Sequence, residues 1–313
     1  MRLPGSTVPP VAVRPTPRTA RGAGWRQREG LAAMAFLAPA ALGFGAFFLW
    51  PTLRALYLSL TDWDLLSPPT LIGFDNYVRL AQDPLFWNAL GVTAEYVVLN
   101  IGSQTILALG LAVLLHRLTR SMVIRGIVLL PYLIPNVVVA LIFLWMLDFN
   151  LGVSNEVLEW LGVGRIPFLS SETWAIPTIA GINTWRYLGH TALLIFAGLQ
   201  AIPREVYEAA AIDGGSEWRI FTRITVPLLR PVLALVLVLT MIGSFQIFDT
   251  VAVTTRGGPE NATRVLYYYV FERAFNQYDF GYAAAICTVL MFILAAITFV
   301  QLRLMRANQS DLS

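Results

Sequence analysis

The feature that most restricts the fold is a set of long apolar runs that carry almost no charge. The run from Leu31 to Trp50 contains twenty residues and no charged side chain. This length is sufficient for a helix to cross a bilayer and exceeds that of a signal-peptide core. The remaining candidate spans are Tyr96–Leu115 with an amphipathic lead-in from Phe86, Gly126–Leu147, Thr173–Gln200, Pro231–Phe248 and Phe280–Leu302. An open-ended chain satisfies its backbone groups in lipid only as helices, so the pattern predicts an all-α polytopic membrane protein with six transmembrane helices.

The composition supports lipid as the surrounding solvent. Charged residues make up 13% of the chain, whereas soluble domains usually contain about 25%. The pI is 9.2, but the net charge is only +3 and the arginines are spread over short segments, which argues against a nucleic-acid partner. A single cysteine, Cys287, forms neither an internal disulfide nor a zinc site, and the sequence predicts no bound metal.

The placement of arginine predicts the orientation of the chain. With six spans, both termini lie on the same side as the loops 116–125 and 201–230. Six arginines lie in residues 1–30, three in 116–125, four in 201–230 and two after Leu302, whereas the opposite loops carry fewer. Because basic residues concentrate on the cytoplasmic side, both termini are predicted to be cytoplasmic.

Three regions are predicted along the chain. Residues 1–30 contain prolines, glycines and six arginines without a hydrophobic period, which predicts a disordered cytoplasmic tail. Residues 31–303 form the transmembrane domain, and residues 304–313 form a short cytoplasmic tail. Segment 203–227, between the fourth and fifth spans, is predicted to lie on the cytoplasmic surface of the membrane.

The residues of segment 203–227 predict two short helices with a turn between them. Pro203 suits the first turn of a helix, because the missing N–H has no partner there. Gly214 favours the left-handed conformation that ends a helix, and Ser216 is a good N-cap for the second helix. One face of the first helix carries Glu205, Glu208, Ala209 and Ile212. By pattern alone, an ordinary amphipathic loop between two spans is the favoured interpretation of this segment.

The stretch EAAAIDGGSEWRIFTRITVP, residues 208–227, resembles the EAA motif of ATP-binding-cassette (ABC) importer permeases. In that family the pattern is EAA, three residues, Gly, nine residues, Ile, one residue and Leu-Pro. This chain differs only at Val226, where leucine is usual. Four further stretches resemble permeases of the carbohydrate branch, of the maltose and glycerol-3-phosphate type: Gly73–Leu90, Leu133–Leu147, Gly198–Gly214 and Gly243–Phe275.

The resemblance implies that segment 203–227 forms a coupling helix that docks into a cytoplasmic ATPase. The residues implied in coupling are Glu205, Glu208, Ala209, Ala210, Ile212, Gly214, Ile224 and Pro227. It also implies a second homologous permease subunit, two copies of the ATPase, an extracytoplasmic solute-binding protein and a bacterial or archaeal inner membrane. The chain has no G-x-x-x-x-G-K-[ST] motif. ATP and Mg²⁺ are therefore expected on the separate ATPase, with no cofactor and no catalysis on this chain.

Polar groups within the apolar runs are candidates for the substrate path, because such groups in a membrane are costly to bury. The predicted path residues are Glu95, Asn100, Trp185, Arg186, Phe245, Gln246 and Asp249, with Tyr187 and Phe248 as further aromatic candidates. Amides and hydroxyls would bind sugar hydroxyls, and aromatic faces would stack on sugar rings. The same groups are equally suited to hold helices together, and this is the favoured interpretation for Asn100, Gln104 and His190.

Three alternatives to a sugar importer remain at this stage. The chain is also compatible with a permease of the same superfamily for glycerol-3-phosphate or a polyamine. An ion-coupled secondary transporter is a second alternative, in which Glu95 or Asp249 would carry a proton, but it leaves the EAA spacing unexplained. A membrane-embedded enzyme is disfavoured, because His116 and His190 lie far apart in sequence and no nucleophile or metal-ligand cluster accompanies them.

Overall fold

The computed structural model describes residues 23–118 and 121–306, and the side chains of residues 33–118 and 121–303. The predicted tails, 1–30 and 304–313, therefore lie largely outside the described residues, and the first helix begins at Ala23. The described helices are α1 (Ala23–Phe44), α2 (Trp50–Leu58), α3 (Asp75–Gln82), α4 (Pro84–Leu118), α5 (Met122–Leu133), α6 (Asn136–Met146), α7 (Val153–Trp160), α8 (Glu172–Gln200), α9 (Arg204–Ile212), α10 (Glu217–Ile220), α11 (Val226–Leu228), α12 (Arg230–Phe245), α13 (Asp249–Thr254), α14 (Leu266–Phe271) and α15 (Phe280–Arg306). Short π-helical segments occupy Gly45–Leu49, Phe221–Thr225 and Glu272–Asn276.

Within residues 23–118 and 121–306, the fold departs from the predicted all-α class in one small hairpin. Strands β1 (Thr61–Asp62) and β2 (Thr70–Leu71) pair antiparallel, with Thr61 opposite Leu71 and Asp62 opposite Thr70. The hairpin packs on the start of α15, where Phe280 and Gly281 donate backbone hydrogen bonds to the Trp63 carbonyl. It therefore fixes the beginning of the last long helix.

The chain divides into two compact units, residues 1–54 and 55–313. In the first unit, α1 is followed by the π-helical turn at Gly45–Leu49. Pro51 is the second residue of α2 and has no N–H to donate to the preceding turn. A π-turn accommodates such a lost bond. Helix α2 crosses the boundary, and the second unit contains every element that begins after Arg54.

Among the described residues, four helical stretches are long and apolar enough to cross a membrane. They are Ala33–Leu58, Pro84–Leu118, Arg230–Thr254 and Phe280–Arg303. Helices α5 and α6 make a fifth span when they are counted as one bent pair. A mainly helical membrane protein is thereby confirmed, with four or five apolar spans. The other predicted span, α8, has 29 residues but is less apolar, because its buried face carries polar side chains including Asn183, Thr184 and Thr191.

The predicted span Gly126–Leu147 is broken between α5 and α6, which meet at an angle of 87°. Pro135 causes the break, since the residue before a proline is disfavoured in the helical conformation. Ile134 accordingly has φ −75° and ψ 132°, and α6 begins immediately after Pro135. The carbonyls at the end of α5 therefore lose their helical partners and need others.

Buried apolar side chains form two clusters at different levels of the bundle. The first cluster includes Phe86, Ala89, Tyr96, Ile176, Ile179, Phe245, Tyr269 and Tyr282. The second includes Ala108, Ala112, Leu115, Ala192, Ile195, Leu199, Leu229 and Val236. In both α4 and α8 the earlier residues belong to the first cluster and the later residues to the second. These two helices therefore run parallel, whereas α12 runs in the opposite direction.

Helices α5 and α8 approach each other unusually closely at Gly189. A Cβ atom built on Gly189 would lie 1.8 Å from the carbonyl oxygen of Val128 on α5. No side chain larger than hydrogen fits at this distance. Gly189 therefore allows α5 to lie directly against α8, next to the break that leads into α6.

Candidate functional site

A layer of buried polar side chains separates the two apolar clusters. The Asn100 amide on α4 donates a hydrogen bond to Ser244 Oγ on α12, at 2.9 Å. Gln104 on α4 donates to Thr191 Oγ1 on α8, at 2.8 Å. Asn183 on α8 donates to Thr250 Oγ1 on α13, at 3.3 Å. These bonds link α4, α8, α12 and α13 at one level, which we call the polar layer.

A cavity of about 320 Å³ opens within the polar layer. Three helices contribute stripes of side chains at helical spacing, with residues 96, 100 and 104 from α4, residues 183, 187, 190, 191 and 194 from α8, and residues 236, 239, 240, 243 and 244 from α12. The remaining lining residues come from the start of α6 and from residues 246–250. The cavity is therefore lined mainly by amides, hydroxyls and aromatic rings.

Three of the predicted path residues line this cavity, namely Asn100, Gln246 and Asp249. Asp249 is the first residue of α13, and its Oδ2 accepts a hydrogen bond of 2.9 Å from the Asn136 amide, the first residue of α6. The pair joins the second half of the broken span to the segment after α12. Gln246 directly follows α12 as its C-cap, and its side chain is exposed.

Arg186 lies beside the cavity rather than on its lining, and it holds the break between α5 and α6. Its guanidinium donates to the Ile134 carbonyl through Nε at 3.0 Å and Nη2 at 2.9 Å, and Nη2 also donates to the Tyr132 carbonyl at 3.1 Å. The guanidinium carbon lies 4.7 Å from the ring centre of Tyr187. Arg186 is 9% exposed. It therefore supplies donors to carbonyls at the helix break.

The other three predicted path residues lie away from the cavity lining. Glu95 is on the exposed side of α4. Trp185 is half-exposed and packs edge-on against Phe143 of α6, with ring centres 5.3 Å apart. Phe245 is buried in the first apolar cluster.

Several lining residues were not among the predicted path residues. Asn136 could have been recognised from the sequence as a path candidate, since it is the one amide within the apolar run Gly126–Leu147. Asn183 lies in the predicted fourth span and could have been recognised in the same way. Ser244, Thr240 and Thr250 could not, because hydroxyls commonly bond to their own helix, as Ser244 does to the Thr240 carbonyl at 2.7 Å. His190, read from the sequence as a packing residue, lines the cavity and stacks on Tyr132 at 4.3 Å.

Segment 203–227 has the local structure that its residues predict. Helix α9 follows Pro203 and ends before Gly214, which has φ +75°. The Ser216 hydroxyl then accepts a hydrogen bond from the Arg219 N–H at the start of α10. Glu217 forms an ion pair of 2.7 Å with Arg117 at the end of α4.

The side chains of α9 are presented on the surface. Glu205, Glu208, Ala209 and Ile212 are exposed, Ala210, Ile224 and Pro227 are half-buried, and Gly214 is exposed. Ile212 is 86% exposed and Trp218 is 73% exposed. This surface therefore presents both exposed acidic side chains and large exposed apolar side chains.

A second polar cluster surrounds Asp83, at the opposite end of α4. Asp83 Oδ2 accepts hydrogen bonds from the hydroxyls of Tyr269 and Tyr282, the latter at 2.6 Å, and lies 3.5 Å from Nη2 of Arg273. Burial by itself would raise the pKa of Asp83, but the two tyrosine hydroxyls and Arg273 hold that pKa below 3.8. This cluster ties the start of α4 to α14 and α15.

Within the described residues, no group of three or more His, Cys, Asp or Glu side chains is placed to hold a metal ion. The described site is therefore a polar cavity inside a helical membrane bundle, together with a short surface helix beyond the end of α8.

This combination of fold and site defines a transport permease, and the comparisons agree. Residues 104–310 match the family described as binding-protein-dependent transport system inner membrane component, and the chain belongs to this family. The family resemblance inferred from the sequence is thereby confirmed. The chain is an inner-membrane component with several apolar membrane-spanning helices.

Curated relatives of the chain are permease proteins of sugar transport systems, not enzymes. The chain is 35% identical to the sulfoquinovosyl glycerol transport system permease protein SmoG of Agrobacterium fabrum, over 98% of this chain and 100% of the relative. It is 34% identical to the trehalose/maltose transport system permease protein MalF of Thermococcus litoralis, over 83% and 88%. It is 35% identical to the lactose transport system permease protein LacF of Rhizobium radiobacter, over 85% and 91%.

The fold also matches a solved structure. A chain of a bacterial ABC transporter involved in the import of the acidic polysaccharide alginate superposes with a TM-score of 0.79 at 24% identity, over 91% of this chain and 99% of that chain. At this identity the likeness establishes the fold alone.

Proposed function

We propose that this chain is the permease subunit of an ATP-driven, binding-protein-dependent importer for a sugar or oligosaccharide. The observation that carries the proposal is the polar cavity between two apolar clusters. A polar solute crossing a membrane needs such a lining, because each of its hydroxyls loses water there and must gain a partner. The sugar systems named for the relatives support this class of cargo.

We propose that α8 is the sixth span, which gives the six-helix topology. Its 29 residues rise about 43 Å, enough to cross a bilayer. Its polar residues face the interior of the bundle, so it needs less apolar surface toward lipid than the other spans. The parallel course of α4 and α8 agrees with an arrangement in which their C-terminal ends share one side. The arginine distribution then favours the cytoplasm for that side and for both tails, with residues 31–303 as the permease domain.

Segment 203–227 is proposed to be the coupling segment that docks into a cytoplasmic ATPase. Helix α9 is short, exposed and joined to α8 by only residues 201–203. A displacement of α9 would therefore be passed to α8 with little loss in a flexible linker. The acidic face of Glu205 and Glu208 suits a basic cleft.

The complete importer is proposed to contain this chain, a second homologous permease, two ATPase copies and an extracytoplasmic solute-binding protein. ATP and Mg²⁺ would be used by the ATPase subunits, and this chain would bind no cofactor. The translocation pathway would lie between the two permeases, and the polar layer would supply the part of the pathway contributed by this chain.

The test is ATP-dependent uptake by the assembled importer in vesicles, together with recovery of the ATPase on purification of the permease. Glu208→Arg is expected to reduce both strongly while the permease still inserts, because the charge facing the basic cleft is reversed. Glu172→Arg is the matched control. It makes the same charge change on an exposed glutamate at the opposite end of α8, and it should leave ATPase recovery unchanged.

Normal ATPase recovery and normal uptake with Glu208→Arg would contradict the docking role of α9. Uptake that depends on an ion gradient, and proceeds without ATP, would instead support a secondary transporter. Uptake of glycerol-3-phosphate or a polyamine in preference to sugars would keep the class of importer and change its cargo.

A further inference from the structure

The cavity in the polar layer has an uneven charge. Of the described side chains that line it, Asp249 is the one carboxylate and none is an arginine, and the chain contains no lysine. The other polar lining groups are amides, hydroxyls and the imidazole of His190. Arg186 keeps its positive charge beside the cavity, but it is not on the lining: Nε and Nη2 donate to the carbonyls of Ile134 and Tyr132, and Nη1 is buried without a hydrogen-bond partner.

Two helix N-termini could in principle offset this negative charge, since the start of a helix attracts anions. Helix α6 begins at Asn136 and α13 begins at Asp249. Both starts meet at the Asp249 carboxylate, which is part of the first turn of α13 and accepts the Asn136 amide at 2.9 Å. The chain's own carboxylate therefore already lies where the two helix starts come together.

We infer that this cavity admits uncharged polyhydroxylated solutes and disfavours anionic sugars. This inference rests on the proposed function and specifies its substrate class. A carboxylate accepts hydrogen bonds from sugar hydroxyls, and the amides and hydroxyls around it both donate and accept. A sulfonate or uronate group would instead meet Asp249 with like charge in a region of low dielectric, where repulsion is strong. One carboxylate among many neutral groups also offers too little countercharge for a polyamine.

The charge of the cavity distinguishes two relatives that sequence identity does not distinguish. The chain is 35% identical both to a permease named for sulfoquinovosyl glycerol, a sulfonated glycoside, and to one named for lactose, which is uncharged. Sequence identity is thus the same to the permease named for a sulfonated cargo and to the one named for an uncharged cargo. The charge of the cavity favours the uncharged cargo.

The charge of the cavity is tested with a thiol introduced at Gln246, an exposed lining residue, in the Cys287→Ser background that removes the natural cysteine. The Gln246→Cys importer is treated with methanethiosulfonate reagents that carry a trimethylammonium or a sulfonate group. After correction for their rates with a free thiol, the cationic reagent should react about tenfold faster. This ratio is expected when reagents of opposite charge come within about 8 Å of one carboxylate through water in the open cavity, where the effective dielectric is about 60. In the added variant Asp249→Asn, which keeps the shape of the side chain, the ratio should fall to within about twofold of unity. Equal rates, or a faster anionic reagent, with Asp249 present would overturn the inference.

The substrate class is tested by ATP-dependent uptake of lactose, trehalose, sulfoquinovosyl glycerol and spermidine in the importer assembled with its binding protein and ATPase. Uptake of a neutral disaccharide without uptake of the sulfonated glycoside is the expected result. Comparable uptake of the sulfonated glycoside, or uptake of spermidine alone, would overturn the substrate class. ATP-independent uptake of every compound would contradict the proposed function, while the thiol ratio would still decide the charge of the cavity.

Discussion

Replacement of Gly189 by alanine tests the closest helix contact in the fold. The added Cβ would lie 1.8 Å from the Val128 carbonyl oxygen and 2.7 Å from the carbonyl carbon. Carbon and oxygen atoms that are not bonded rarely approach within about 3 Å, so α5 and α8 would have to separate by roughly 1 Å. The contact is between backbone and Cβ, which leaves no flexible side-chain end that could move aside.

The magnitude follows from comparison with Gly181→Ala, eight residues earlier in α8. Gly181 is exposed, and its added Cβ would have no neighbour within 4 Å. Both variants gain about 1 kcal/mol from the higher helix propensity of alanine. Their difference in stability therefore isolates the cost of overpacking, about 1–3 kcal/mol against Gly189→Ala. Gly181→Ala should be at least as stable as the wild type, and Gly189→Ala should be the less stable of the two.

The assay is thermal unfolding of the purified permease in detergent, followed by tryptophan fluorescence at one heating rate for all variants. A common heating rate is needed because membrane proteins commonly unfold irreversibly, so that the midpoint depends on rate. If Gly189→Ala unfolds at the same temperature as Gly181→Ala or above it, the close approach of α5 and α8 is wrong.

Three further predictions concern single side chains. Arg186→Met should lower the unfolding midpoint, because hydrogen bonds from a charged group contribute about 1.5–3 kcal/mol each. Arg186→Lys should recover only part of the loss, since an ammonium lacks the guanidinium fork. Equal stability of the wild type and both variants would contradict the role of Arg186 at the helix break. Asp83→Asn should destabilise the protein at pH 7, and the destabilisation should shrink progressively as the pH falls below about 4. The reason is that a lowered carboxyl pKa gives stability that is present above the unfolded-state pKa and is lost as the pH falls through the folded-state pKa. A difference in unfolding that does not change with pH would count against the cluster. Gly214→Val should reduce ATPase recovery, because φ is +75° at this position and a β-branched residue resists left-handed geometry. Gly214→Asn should be tolerated, because asparagine adopts left-handed geometry more readily. Similar recovery for the two variants would argue against the turn.

Local features of the fold could be read from the sequence because their causes are local. Pro203 and Gly214 set the ends of α9, and the chemistry that does so lies within the residues themselves. The break in the span Gly126–Leu147 also has a local cause, Pro135. Its angle of 87° does not, because the angle is fixed by what the two halves pack against.

The cavity was only partly predictable because polarity does not reveal which way a helical side chain points. Neighbouring residues on a helix point about 100° apart. A shift of one residue along the helix therefore decides whether a side chain lines the cavity or contacts another helix. On α8, Tyr187 and His190 fall on the cavity stripe, whereas Trp185 and Arg186 lie to its side. The partners of Arg186 are backbone carbonyls 52 and 54 residues earlier in the chain, and no side-chain pattern marks them.

Helix α8 connects the two parts of the proposed transport machinery through its neighbours. One stripe of α8 lines the cavity, while the adjacent Arg186 holds the carbonyls at the α5–α6 break and Gly189 lies against α5. Asn136, the first residue after that break, in turn donates to Asp249 on the cavity wall. A shift of α8 would therefore move the wall on both sides of Asp249 and not only its own stripe. Since α8 is followed after three residues by α9, a force applied to α9 would reach this wall through one continuous helix.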